Sequence, residues 1–114
     1  MDIEAARIAI REFARRRDWD QFHHPKNLSM ALAAEAGELL EVFQWLSDTE
    51  SRAAHADPDL VGRAADEMAD ILIYLIRLAD VLGVELWSAM QDKIERNAVR
   101  YPVDEARGSA MKRP

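Results

Sequence analysis

The chain of 114 residues contains no cysteine, so it has no disulfide framework and no thiolate chemistry. It has no long apolar run either. The longest, Ile71–Ile76, is far too short to span a bilayer. The start, Met1-Asp2-Ile3-Glu4, lacks a basic stretch with an apolar run behind it, so no signal peptide is expected and a cytoplasmic, soluble protein is. Only four glycines occur, and they form no glycine-rich phosphate loop. There is no internal repeat, no low-complexity segment and no evident serine nucleophile. Positive charge is also in deficit: the net charge of −6 argues against general nucleic-acid binding. A small anionic ligand remains compatible with it if a divalent cation neutralises the site. What is present is 49% hydrophobic and 32% charged residues, enough for one domain with a real core.

Acids stand where a core helix should be apolar. At about 100° per residue, the helix face centred on Glu35 also carries Leu28, Ala31, Leu32, Leu39, Val42 and Leu46. Glu38 lies on the flank of that stripe. An unpaired carboxylate there is costly unless it meets a cation, a proton or a polar cavity. A second such place, Glu67-Met68-Ala69-Asp70, runs straight into Ile71–Ile76. Two helices each offering acids at i and i+3 point to one shared metal site. A solvated acidic face is the plainer reading of any single helical acid, and it is the preferred one for Glu41 alone.

The periodicity predicts an all-α bundle of about four helices. Helix one runs from Asp2, as N-cap, to about Arg17. Arg15-Arg16-Arg17 suit a helix C-terminus through the macrodipole. Residues 18–26 read as a loop with an unusual load of Trp19, Phe22, His23 and His24. The two larger aromatics either plug the bundle end or touch a ligand. Helix two runs from Pro25 or Asn27 to Leu46, closed by Gln44-Trp45. Gly37 lies inside it, where close approach of a neighbouring backbone would explain the residue. Residues 47–57 show no apolar pattern and read as a mobile loop, with His55 exposed. Asp57-Pro58-Asp59 is a strong helix start, and Gly83 a stop, for helix three. Helix four runs from about Glu85 to Arg100, with Leu86, Met90, Ile94 and Tyr101 inward and Lys93 and Asn97 on the same face. Lys93 either snorkels from the core edge or faces a ligand. Pro102 ends the domain (1–102), and 103–114 is expected to be a loose tail.

Glu35, Glu38, Glu67 and Asp70 would make an all-oxygen site, which suits Mg²⁺ or Mn²⁺. A di-iron bundle would want Glu-x-x-His on two helices, and no such motif exists here. Metal, aromatic loop and inward Lys93 then read as metal, base and phosphate subsites.

Four stretches carry a resemblance. They are Phe22-His23-His24-Pro25-Lys26-Asn27-Leu28, the run Glu35-Ala36-Gly37-Glu38-Leu39-Leu40-Glu41 to Trp45, Asp66-Glu67-Met68-Ala69-Asp70 to Leu75, and Lys93 to Asn97 with Arg100-Tyr101-Pro102. Together they resemble the all-α nucleoside triphosphate pyrophosphohydrolases, the MazG-like group that includes the dCTP pyrophosphatases. The resemblance spans Trp19 to Pro102. It implies hydrolysis of a nucleoside triphosphate, dCTP or a modified cytosine nucleotide favoured, to the monophosphate and pyrophosphate. It implies Mg²⁺ held by Glu35, Glu38, Glu67 and Asp70. It places the base among Trp19, His23, Trp45 and Tyr74, with Phe22 in the same loop and Asn97 at the base edge. Lys93 and Arg100 would face the phosphates. Glu38 and Glu41 are the candidate catalytic acids, Glu41 as acceptor of the water proton. Family members are homodimers or homotetramers. One position departs: the dCTP-cleaving relatives carry a histidine on the first helix as a base contact, and here Ile10 lies near that place. Two rival readings are an interaction module whose acids only solvate a bundle, and a nucleotide sensor that binds without turnover. The first predicts no Mg²⁺-dependent thermal stabilisation, and a product assay separates the second.

A helix with no polar face over residues 71–76 must be covered on all sides, partly by another subunit. Analytical ultracentrifugation at micromolar protein is expected to show a dimer or larger. A stable monomer would overturn that expectation.

Overall fold

Asp2 opens the first helix as its sequence implies. In the computed structural model, which describes residues 2–114, its side chain accepts from the Ala5 amide at 3.1 Å. Helix α1 spans Ile3–Arg16 and buries Ala14. The chain then turns through Asp18, held at a left-handed φ of 56°. The Trp19 amide bonds back to the Ala14 carbonyl at 3.0 Å, and Asn27 Nδ2 donates to the Phe22 carbonyl at 3.1 Å. The loop is therefore tied at both ends.

Helix α2, Pro25–Phe43, ends three residues before the expected Leu46, with Gln44 as its cap. Its inner face matches the predicted stripe. Leu28 is buried, and Ala31, Leu32, Glu35, Leu39, Val42 and Leu46 are half-buried. The proposed reason for Gly37 does not hold within this chain, because nothing lies within 4 Å of where a Cβ would stand. The expected loose loop after α2 is also corrected. Ser47 and Glu50 form a reciprocal capping box that starts α3, Asp48–Arg52, and a 3₁₀ turn follows at Ala54–Ala56. Helix α4, Pro58–Leu82, opens on the Asp57 side chain and closes on Gly83 at φ 70°, where a side chain would be strained.

The contacts divide the chain into two units, Met1–Gly83 and Val84–Pro114. In the first, α2 and α4 form the main pairing and α1 packs on α4. Its core is Ala14, Leu28, Leu60, Ala64, Ile76 and Ala79. Leu72, Ile73 and Leu75 of the apolar run stay exposed in the single chain. An apolar groove of about 890 Å³ lies beside them, lined by Leu39, Phe43, Val61 and Met68 among others. In the second unit, α5 (Leu86–Arg100) is capped by Glu85, and α6 is Val103–Ala106. The tail carries more structure than its lack of apolar periodicity implies. The Arg113 amide donates to Tyr101 Oη at 3.0 Å and its guanidinium to Glu105 at 2.7 Å. The predicted inner face of α5 is open, with Met90 46% and Ile94 59% exposed. Four long helices, α1, α2, α4 and α5, thus carry the all-α fold.

Charge fills the place where α1 meets α4. The Asp80 side chain is only 5% exposed, and it accepts from Arg7, Arg11 and Arg77. Hydrogen bonds from Arg11, opposed by desolvation and reinforced by Arg7, hold its pKa down at about 2. A folded-state pKa below the unfolded value stabilises the protein above the ordinary carboxylate range. That stabilisation, of order 2 kcal/mol, is lost as pH falls from about 4 toward 2. Asp80→Asn is expected to cost about 3 kcal/mol at neutral pH, because it removes the carboxylate shared by three cations and leaves buried Arg77 with Asp20 as its one charged partner. It should also flatten the acid limb of a urea-denaturation series. An unchanged acid limb would show that Asp80 does not govern it.

Candidate metal centre and aromatic cavity

Helix α2 brings Glu35 and Glu38, one turn apart, against Glu67 of α4. One carboxylate oxygen from each lies within 4.8 Å of the other two. Glu35 Oε2 and Glu67 Oε2 are buried and have no hydrogen-bond partner. Such oxygens need a proton or a cation. The Glu67 carboxyl is pushed up to about 7 by its contact with Glu35, then by Glu38 and by burial. For Glu35, contact with Glu67 favours the charged form. Burial and the neighbouring Glu38 and Asp70 outweigh it and raise the pKa. Converging hard oxygens, two of them orphaned, fit a Mg²⁺-type cation.

Asp70 does not join that trio. It follows Glu67 by one turn and is exposed, and its charge still acts on Glu35. It lines a different space, an aromatic cavity of about 280 Å³ whose walls include Ile10, Phe13, Trp19, His23, Ile73, Tyr74 and Arg77. Phe13 meets Trp19 edge-on at 5.8 Å between centroids, and Trp19 lies 6.1 Å from His23. Ile10 of α1 forms part of this wall. A second groove, of about 360 Å³, is lined by Glu38, Glu41, Val42, Arg63, Asp66 and Glu67. Glu41 thus shares a groove with two of the clustered acids.

Other expected contacts are not assembled. Trp45 is 86% exposed and Phe22 56%, and neither lines the aromatic cavity. The cause for Trp45 is that α2 stops at Phe43, so the indole leaves the helix. Lys93, Asn97 and Arg100 lie on α5 in the second unit. There Lys93 is exposed, Asn97 is half-buried, and Arg100 Nε is buried without a partner.

Sequence reasoning missed Arg77. It is 7% exposed, and its three nitrogens donate to His23 Nδ1 (3.1 Å), Asp80 (3.2 Å) and Asp20 (2.9 Å). The signal was an arginine and an aspartate at i and i+3, directly after an apolar run.

The fold and the acids define an all-α protein built around a carboxylate cluster beside an aromatic cavity. The chain belongs to the MazG-like family, whose model matches residues 30–112. It is 46% identical over 110 residues to dCTP pyrophosphatase 1 of Mus musculus and 43% to that of Homo sapiens, covering 96% of this chain. It spans 65% of the length of those relatives, just under two thirds. The crystal structure of a pyrophosphatase from Archaeoglobus fulgidus superposes with a TM-score of 0.74 at 40% identity, over 82% of this chain and 86% of that one.

If the trio binds a cation, Mg²⁺ should raise the melting temperature of the wild type. Glu38→Gln removes one of the repelling charges, so without Mg²⁺ it should melt at or above the wild type. Its gain from added Mg²⁺ should be much smaller. A Glu38→Gln protein that gains as much from Mg²⁺ as the wild type would remove Glu38 from the centre.

Proposed function

We propose that this chain is a Mg²⁺-dependent nucleoside triphosphate pyrophosphohydrolase acting over residues 1–102, with Mn²⁺ an alternative metal. It converts a triphosphate and water to the monophosphate and pyrophosphate, clearing unwanted nucleotides from the pool. The observation that carries the reading is the convergence of Glu35, Glu38 and Glu67 with two orphaned buried oxygens. The similarity to proteins named as pyrophosphatases supports it, as does the aromatic cavity next to the acids.

Glu35, Glu38 and Glu67 would hold the cation, and Asp70, a turn beyond Glu67, completes the set. A cation held there would neutralise charge on the triphosphate and polarise its phosphoryl oxygens. Water attacks the α-phosphorus, the α–β anhydride bond breaks, and pyrophosphate leaves. Glu41 lines the groove shared by Glu38 and Glu67 and is the acceptor for the water proton. No covalent intermediate is required, so positioning and electrostatics supply the acceleration. Trp19, His23 and Tyr74 bind the base from the cavity. Trp45, Phe22, Lys93, Asn97 and Arg100 complete base and phosphate contacts in an assembly of two or four copies. Trp45 follows directly on the helix that carries Glu35 and Glu38, just beyond its end at Phe43, and in that assembly it is the stacking platform for the base. Cytosine is the favoured base, and Ile10 loosens that preference because it offers no hydrogen bond. Among the described residues no helix is long and apolar enough to cross a membrane.

A panel of ribo- and deoxyribonucleoside triphosphates with Mg²⁺, scored for monophosphate and pyrophosphate together, tests the reading. Turnover is expected to be greatest with a cytosine deoxynucleotide. Glu38→Gln should lower kcat by about 100-fold or more. Trp45→Ala should weaken nucleotide affinity by roughly tenfold to hundredfold and shift base preference, with Mg²⁺ affinity little changed. Binding without either product would mark a sensor instead.

A further inference from the structure

Arg77 serves neither the acid cluster nor the groove beside it, yet it is among the most completely partnered side chains in the protein. Its guanidinium has no acceptor capacity and stays charged, so every contact it makes is a donation. Nε lies 3.1 Å from His23 Nδ1. Nδ1 must therefore carry a lone pair, and the proton of a neutral imidazole must sit on Nε2. Asp20 and Asp80 hold the two terminal nitrogens, so the guanidinium cannot turn away. Asp80 is itself clamped by Arg7 and Arg11 of α1. The His23 amide bonds to the Trp19 carbonyl at 3.1 Å, which sets the ring beside the indole. Both rings line the aromatic cavity, and Nε2 is the ring nitrogen left to meet a ligand there.

We propose that Arg77 is a positioning residue: it fixes His23 as the Nε2–H form, so the cavity presents a hydrogen-bond donor to an acceptor atom on the bound base. This rests on the reading of the cavity as a nucleobase site. A donor at that place selects rings that offer an exocyclic carbonyl or an unprotonated ring nitrogen. Burial and the adjacent Arg77 charge also disfavour the imidazolium, against a smaller opposite pull from Asp20. The donor is therefore a neutral N–H at neutral pH.

Nitrogen-15 NMR of histidine-labelled, nucleotide-free protein reads the tautomer directly, with the His23 signals assigned by their loss in His23→Asn. The expected pattern is a protonated Nε2 and a bare Nδ1. A proton on Nδ1, or on both nitrogens, overturns the proposal. Arg77→Met should scramble the tautomers and raise the KM for dCTP. If that variant fails to fold, His23→Asn decides the matter, because its amide oxygen can still accept from Arg77 while the distal donor is gone. It should melt near the wild type and raise KM about tenfold, with the loss falling on KM more than on kcat. An unchanged KM in His23→Asn, with Trp19→Ala clearly weakened, overturns the proposal and leaves the cavity reading standing. An unchanged KM in Trp19→Ala overturns the cavity reading itself, whatever the NMR spectrum shows.

Discussion

Three guanidinium groups converge on one nearly buried carboxylate, Asp80, and the first unit is arranged around that convergence. Two of the cations come from α1 and one from α4, so the ion network fixes how α1 meets α4. Helix packing through Ala14 and Ala79 alone would leave their contact loosely specified, since small side chains interdigitate little. The network supplies direction as well as attraction. Its third cation, Arg77, reaches across to Asp20 and His23 and so orders the loop that delivers Trp19. Buried ion pairs give little net stability against a well-packed apolar alternative. Here the return is a defined geometry at the cavity.

The acid cluster makes the opposite arrangement. Glu35, Glu38 and Glu67 repel one another, and two of their oxygens are stripped of water without a donor in exchange. The apolar stripe around Glu35 excludes solvent and raises the cost. Such a feature costs stability, and strongly shifted acids of this kind are concentrated at functional sites. Along α4, one charge network is paired and the other is left open.

Much of this was legible in the sequence because it depends on local rules. The Glu35 stripe, the Asp2 and Asp57 caps, Pro58 at a helix start and Gly83 at its end each follow from periodicity or backbone preference. The acid cluster was legible because carboxylates interrupt an apolar face on two helices. Arg77 was not, because its meaning lies in partners 54 and 57 residues away. The segment after α2 was misread because a capping box can make a helix too short to show apolar periodicity. Trp45 was given helical direction that it lacks once α2 ends at Phe43. Asp70, one turn from Glu67, lines the aromatic cavity while its charge still acts on Glu35.

Gly37 stands between the two acids of α2 with open space where a side chain would fit. An alanine there would meet no obstacle and would favour the helix by up to ~1 kcal/mol. Steric fit within this chain therefore does not account for the residue. A glycine also lowers the cost of bending a helix, so the segment between Glu35 and Glu38 is the stretch of α2 whose backbone resists distortion least.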